Sequence, residues 1–284
     1  MDVRAYLGRV GYNGPPAPTV DTLRALHRQH MLTVPFENLD IGLGREIVLD
    51  PEGFVDKIVR QRRGGFCYEL NGAFATLLVA AGFRVTLLSA RVFNEEGIAS
   101  REFDHLARRI DLEDAWLADV GFGDNFLEPL RLVSELEQQD AAGTFRLIDA
   151  GDRWRVERSQ PDRSWRLQYD FSPLPRHLSD FTGMCWYHQT SPDSHFTRNR
   201  VCSLATPHGR VTLSGMRLII TSNGRKEEKC SQPKPIGMRR FAITSVLCST
   251  KKLQSSRGSA NRVNGRDATS RSVDSRRFVV QATC

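Results

Sequence analysis

Three residues of this chain could share one piece of proton-transfer chemistry: Cys67, His105 and Asp119. Cys67 stands in QRRGGFCYELNGAF (61–74), behind two arginines and two glycines, at the head of a predicted helix. Free N–H groups and the helix dipole at such a place favour a thiolate. The Gly64-Gly65 pair opens backbone conformations closed to other residues, and Arg62 and Arg63 add positive charge. Taken alone, a single cysteine is more often a buried structural residue. His105 follows Asp104 in FDHL, at a predicted strand edge. Asp119 interrupts the apolar run of WLADVGFG just before a Gly-Phe-Gly loop, where an acid is costly without a partner. An imidazole is the obvious one. The order is Cys, His, Asp, at separations of 38 and 14 residues. In that arrangement His105 would take the thiol proton, and Asp119 would orient the ring and stabilise the imidazolium. The spacing is not diagnostic by itself; the three contexts together are.

The elements that must position these side chains change character along the chain. TVDTLRALHRQHML (19–32) places Leu23, Leu26, His30 and Met31 at helical spacing. In DPEGFVDKIVRQRR, Asp50 is a helix cap with Pro51 in the first turn, and Phe54, Val55, Ile58 and Val59 form one apolar face. After the cysteine, Leu70, Phe74, Leu77, Leu78 and Ala81 share a helical face, and Gly82 is a natural stop. Residues 83–93, 104–112 and 115–122 then read as strands, with RWRVERS and SWRLQYDF as a pair. The middle part, to about residue 200, reads as antiparallel β, with SPDSH as a loop. GRVTLSGMRLIIT (209–221) reads as a hairpin turning at Ser214-Gly215.

The chain has 284 residues with 40% hydrophobic and 26% charged, the balance of a globular protein. The net charge of +7 resides in the tail. Residues 221–284 hold 14 Lys/Arg against 4 Asp/Glu, and the preceding part holds 26 against 29. The body therefore lacks the basic footprint of a nucleic-acid partner. No apolar run is long enough for a transmembrane helix, and the N-terminus lacks a signal-peptide pattern. Cys67, Cys185, Cys202, Cys230, Cys248 and Cys284 are scattered, without CxxC pairs. This argues against a structural metal site or a disulfide framework and for a cytoplasmic protein with reduced thiols.

VPFENLDI (34–41), RGGFCYELNGAF (63–74), FDHL (103–106), WLADVGFG (116–123), DFTGMCWYHQTSPDSHFTRNR (180–200) and GRVTLSGMRLI resemble the arylamine N-acetyltransferase family. The resemblance covers residues 1 to about 225. It implies an α+β fold of the cysteine-protease-like superfold. Residues 1–83 would form a helical unit with the nucleophile, 84–200 an antiparallel β-barrel with His105 and Asp119, and 201–284 an α/β lid. It implies ping-pong transfer of an acetyl group from acetyl-CoA, through an acetyl-Cys67 thioester, to an arylamine or arylhydrazine. Acetyl-CoA would be a co-substrate, with no permanently bound cofactor or metal. Phe36, Phe122 and Phe196 match aromatic positions of the acceptor pocket, although all three could be ordinary core phenylalanines. Glu37 and Arg63 match a buried supporting ion pair. The Gly121-Phe122-Gly123 turn would let backbone N–H groups approach the CoA arm.

From about residue 225 the texture departs from the family. SSRGSANRVNGRDATSRSVDSRR is rich in Ser and Arg, with little apolar periodicity, and reads as a disordered tail or out-of-frame translation. Two other readings stand beside an active enzyme. One is an impaired relative with a frameshifted C-terminus. The other is a different Cys-His-Asp thiol enzyme, such as a transglutaminase-like protein.

Overall fold

A computed structural model describes residues 1–222 and 224–230. The expectations for the tail beyond residue 230, including its frameshift and its lid, lie outside the described residues.

Two capped helices open the chain. Asp2 accepts the Ala5 N–H at the head of α1 (Val3–Val10), and Thr19 accepts the Thr22 N–H at the head of α2 (Val20–Thr33). The two-residue strand β1 (Phe36–Glu37) and the single turn α3 (Leu39–Gly42) follow. At α4 (Pro51–Val55) the expected cap is present, with Asp50 accepting the N–H groups of Glu52 and Gly53. Over Asp56–Arg60 the helix widens into a π turn, and Lys57 in that turn is buried. Such turns are rare and often mark functional neighbourhoods.

The central element is α5 (Cys67–Ala80), buried without a break from Cys67 to Phe74. A helix apolar on every side belongs inside a fold. It ends where expected: Gly82 takes a left-handed φ of +88°, and the Phe83 N–H reaches back to Leu78 O.

Eight antiparallel strands then form a nearly closed barrel. They are β2 (Arg84–Val92), β3 (His105–Asp111), β4 (Ala115–Ala118), β5 (Leu130–Arg131), β6 (Gln138–Asp140), β7 (Gly143–Asp149), β8 (Trp154–Ser159) and β9 (Trp165–Phe171). Their order is β5-β4-β3-β2-β9-β8-β7-β6. The ends approach through side chains: Gln138 Oε1 accepts the Arg131 N–H, and its Nε2 donates to Arg131 O. One apolar cluster fills the barrel around Leu88, Leu117, Phe145, Val156 and Tyr169. A larger one joins the helices to the outer face of β3 and β4 through Phe74, Leu106, Ile110 and Trp116.

The reading of antiparallel β to residue 200 fails over its last part. A 3-10 turn (Leu178–Phe181) leads into α6 (Thr182–Thr190) and α7 (His195–Arg198). Burial of Phe181, Cys185 and His188, spaced four and three residues apart, follows a helical face. A second sheet of order β1-β10-β11-β12-β13 adds β10 (Val201–Thr206), β11 (Gly209–Ser214), β12 (Arg217–Ser222) and β13 (Arg225–Cys230). Its β11–β12 hairpin turns one residue later than read, through Gly215-Met216 between the paired Ser214 and Arg217, with Gly215 at φ +57°. Among the described residues, no helix is long and apolar enough to cross a membrane.

Candidate active site

Cys67 is the first residue of α5, His105 the first of β3, and Asp119 follows β4. All three are nearly or fully buried. His105 Nε2 meets Asp119 Oδ2 at 2.8 Å. With Nε2 held there, Nδ1 is the ring nitrogen left for proton exchange. Cys67 and His105 both line a cavity of about 630 Å³.

Asp119 is held from several sides. Its Oδ1 accepts from Asn71 Nδ2 at 2.9 Å and from the Gly121 N–H at 3.0 Å. Its own N–H donates to His27 Nε2. Burial works to raise this carboxyl, but the His105 charge and hydrogen bonds from His105, Asn71 and Gly121 hold it well below the usual carboxylate range. An ionised Asp119 is what an imidazolium needs beside it.

Helix and barrel touch without a gap at Gly121. A Cβ built there would stand 2.9 Å from Cys67 Cα and 2.6 Å from Asn71 Nδ2, so only glycine admits this contact. Gly64 and Gly65 also serve by their small size, against Pro35 and Glu69. Neither has a positive φ; Arg62 does, at +52°. The conformational reason read from the sequence is thus replaced by a steric one.

Arg63 makes the ion pair with Glu37 that the family resemblance implied, and the pair is part of a larger network. Arg63 is turned into a buried ion network, with Nη2 2.8 Å from Glu37 Oε1 and Nη1 2.6 Å from Asp40 Oδ1. Lys57 joins it at 2.7 Å from Asp40 Oδ2 and 2.6 Å from Glu69 Oε1. Glu69 Oε2 also accepts the Phe66 N–H at the head of α5, tying the network to the residue before the thiol. Burial pushes the Cys67 thiol well up, and the charges of Asp104, Cys185 and Asp119 add to this. The Tyr68 N–H pulls the other way.

Phe36, Phe122 and Phe196 all line the cavity. Phe122 packs edge-on to His105, with centroids 5.4 Å apart, and Phe36 lies 6.1 Å from Phe196. Gly121 and Gly123 flank Phe122, but the Gly121 N–H is taken by Asp119. The sequence reading missed a second imidazole at this cavity. His188 Nε2 lies 3.2 Å from Asp104 Oδ1, and its Nδ1 lies 3.3 Å from Ser194 Oγ. It also missed Asn71, four residues beyond Cys67 on one helix face, a spacing that could have revealed it.

A family model described as N-acetyltransferase matches residues 19–236. The Escherichia coli arylamine N-acetyltransferase is 37% identical over 231 residues, covering 80% of this chain and 82% of that protein. This chain belongs to the arylamine N-acetyltransferase family. The Salmonella typhimurium arylamine N-acetyltransferase structure superposes with a TM-score of 0.78 at 30% identity, covering 87% of this chain and 98% of that one. A Mycobacterium marinum arylamine N-acetyltransferase in complex with CoA matches with a TM-score of 0.76 at 33% identity, over 81% and 87% of the two chains. The chain is therefore an acetyltransferase of this family and not a transglutaminase-like protein. The match to residue 236 and the pairing of β13 with β12 carry the family-like part past 225.

Proposed function

We propose that the chain moves an acetyl group from acetyl-CoA to the nitrogen of an arylamine or arylhydrazine in two half-reactions through Cys67. The observation that carries this reading is the shared cavity of Cys67 and His105, with His105 fixed to a buried, ionised Asp119. In the first half-reaction Nδ1 of His105 takes the Sγ proton and the thiolate attacks the thioester carbonyl. The S–C bond to CoA breaks, and the proton passes to the departing CoA sulfur. In the second, the neutral amine attacks the acetyl-Cys67 carbonyl. His105 takes the amine proton and returns it to Sγ, leaving the amide and the free thiol. A weakly basic aromatic amine is uncharged near neutral pH and needs no prior deprotonation.

Phe36, Phe122 and Phe196 supply flat apolar surface for the acceptor ring beside the thioester. Glu37 and Arg63, with Lys57, Asp40 and Glu69, hold the segment leading into α5. Gly121 seats Asp119 against the helix, and Gly123, with φ +93° beside Phe36, shapes the turn that the CoA arm would approach. Free thiols at Cys67, Cys185 and Cys202 fit the reducing conditions of a cytoplasm.

The test is an intact mass after incubation with acetyl-CoA alone, followed by peptide mapping. One added acetyl group on the Cys67 peptide, absent in Cys67→Ala, supports the reading. Unchanged mass with acetyl-CoA unconsumed overturns it and favours an impaired relative.

A further inference from the structure

Behind the His105–Asp119 pair lies a charge that the mechanism above does not use. Arg108 stands on β3, three residues after His105, and shares its sheet face with Leu106 and Ile110. It is fully buried. Nη1 donates to Asn71 O at 2.7 Å and Nε to Ala118 O at 3.3 Å. The guanidinium carbon lies 4.7 Å from the centre of the Phe74 ring, and Nη2 has no hydrogen-bond partner among the described residues. No carboxylate among the described residues lies within ion-pair distance of it. The nearest electrostatic balance comes through Asn71, whose carbonyl takes Arg108 and whose amide holds Asp119.

The groups around this pair come from five elements. Tyr6 faces Arg108 from α1, His27 and His30 from α2, Tyr169 from β9, and Asp119 from the end of β4. Cys67 on α5 and Asn125 complete the surroundings of Asp119. Burial keeps both phenols protonated, and pushes His27 down to about 4 and His30 well down, so both rings are neutral. Asp140, which reaches His27, is bound to the N–H groups of Leu127, Glu128 and Ala142. Asp119 is thus the negative charge that Arg108 faces.

A buried carboxylate is tolerated when it is paired. Opposite a neutral imidazole and nothing else, Asp119 would draw a proton onto His105. In the free enzyme that proton is useful, because it balances the Cys67 thiolate. In the acetyl-enzyme no thiolate exists, and a protonated His105 cannot accept the proton of the incoming amine. We propose that Arg108 is a positioning residue that supplies the standing counter-charge of Asp119, so that His105 is free to be neutral while the acetyl group is on Cys67. This rests on the two-step reading given above.

The experiment follows loss of the acetyl mass from preformed acetyl-enzyme across about pH 5.5–9, with and without 4-chloroaniline. Both water and the aniline deliver their proton to His105. In Arg108→Met, which keeps length and removes charge, the acid limb moves to higher pH. At pH 6 deacetylation falls about tenfold, the effect of a one-unit shift, while the alkaline plateau stays within about threefold of wild type. Arg108→Lys keeps the wild-type limb. Arg108→Gln keeps a donor for Asn71 O without the charge, and decides the matter if the methionine variant does not fold. A folded Met or Gln variant with an unmoved limb overturns the proposal and leaves Arg108 a core residue. Failure of wild type to form acetyl-enzyme overturns the two-step reading itself, and the Arg108 role with it.

Discussion

Asn71 clamps Asp119 from across the joint between helix and barrel. Its Nδ2 donates to Asp119 Oδ1 at 2.9 Å and also to Leu106 O, while its Oδ1 accepts the Val120 N–H at 3.0 Å. One fully buried side chain on the nucleophile helix therefore holds the acid, the backbone just after it at Val120 and the backbone just after His105 at Leu106. Asn71→Ala removes the partner of the Val120 N–H and the donor to the Leu106 carbonyl, and leaves Asp119 Oδ1 with the Gly121 N–H alone. The expected cost is about 2–4 kcal/mol in urea unfolding. Acetyl-thioester formation on Cys67 falls at least about tenfold as the acid loses its setting. Asn71→Asp is worse than alanine, because a second carboxylate meets Asp119 at hydrogen-bond distance. An alanine variant with wild-type stability and thioester yield would show that the clamp is idle.

A second carboxylate bears on the thiol. After burial, the charge of Asp104 does most to raise the Cys67 thiol, and Asp104 is itself bound to His188. Removing its charge in Asp104→Asn makes the thiolate easier to form. The rate of Cys67 alkylation by iodoacetamide then rises at neutral pH, and its midpoint moves to lower pH. A midpoint that stays in place, or moves up, would mean that His188 already cancels the charge.

The grouping of Cys67 with Asp119 was legible in the sequence because both broke a local pattern: a cysteine behind Gly-Gly at a helix head, and an aspartate inside an apolar strand. Arg108 broke one too. In HLARRIDL the alternate positions Leu106, Arg108 and Ile110 make one face, and a charge between two apolar residues there signals a buried role. The Glu37–Arg63 contact is present as read, but its enlargement by Lys57 depends on a π turn, and 3.6-residue periodicity carries no trace of such a turn. The Asp104–His188 contact joins residues 84 apart, and nothing local announces it. The helix at Thr182–Thr190 is nine residues long between turn-forming stretches. Its inward face holds cysteine and histidine in place of leucines, so its period was hidden.

Gly121 is where space itself is the functional property. Gly121→Ala drives a methyl group into Cys67 Cα, Cys67 O and Asn71 Nδ2. Two of these atoms belong to the backbone of a buried helix and cannot turn aside. The expected destabilisation is about 1–3 kcal/mol. The larger effect is on chemistry: spreading the joint by a fraction of an ångström separates the thiol from the imidazole, and acetylation slows about a hundredfold. Single-turnover acetyl transfer to Cys67, with thermal unfolding of the same sample, separates the two effects. Equal, small changes in both would show that the joint relaxes at no catalytic cost.

Two buried groups pull stability in opposite directions over the same range of pH. Burial, partly offset by Lys57 and the Phe66 N–H, raises Glu69 from its ordinary 4.5 to about 7. The folded chain therefore holds that proton more tightly than the unfolded one. Its contribution is full below about pH 4.5 and is lost as pH rises to about 7. His27 is lowered by burial from 6.5 to about 4, so its contribution is full above 6.5 and is lost as pH falls to about 4. His30 is lowered further by burial and by Arg108, and has the same sign as His27. The Glu69 and His27 shifts each correspond to roughly 3 kcal/mol, so in wild type these two largely cancel between pH 5 and 6.5. Glu69→Gln removes one side of that balance while Lys57 keeps Asp40 at 2.7 Å. Between pH 7 and pH 5 the variant should lose about 2–3 kcal/mol more than wild type does, read from urea midpoints at the two pH values. Parallel curves for the two proteins would mean that Glu69 is ionised throughout, held so by Lys57.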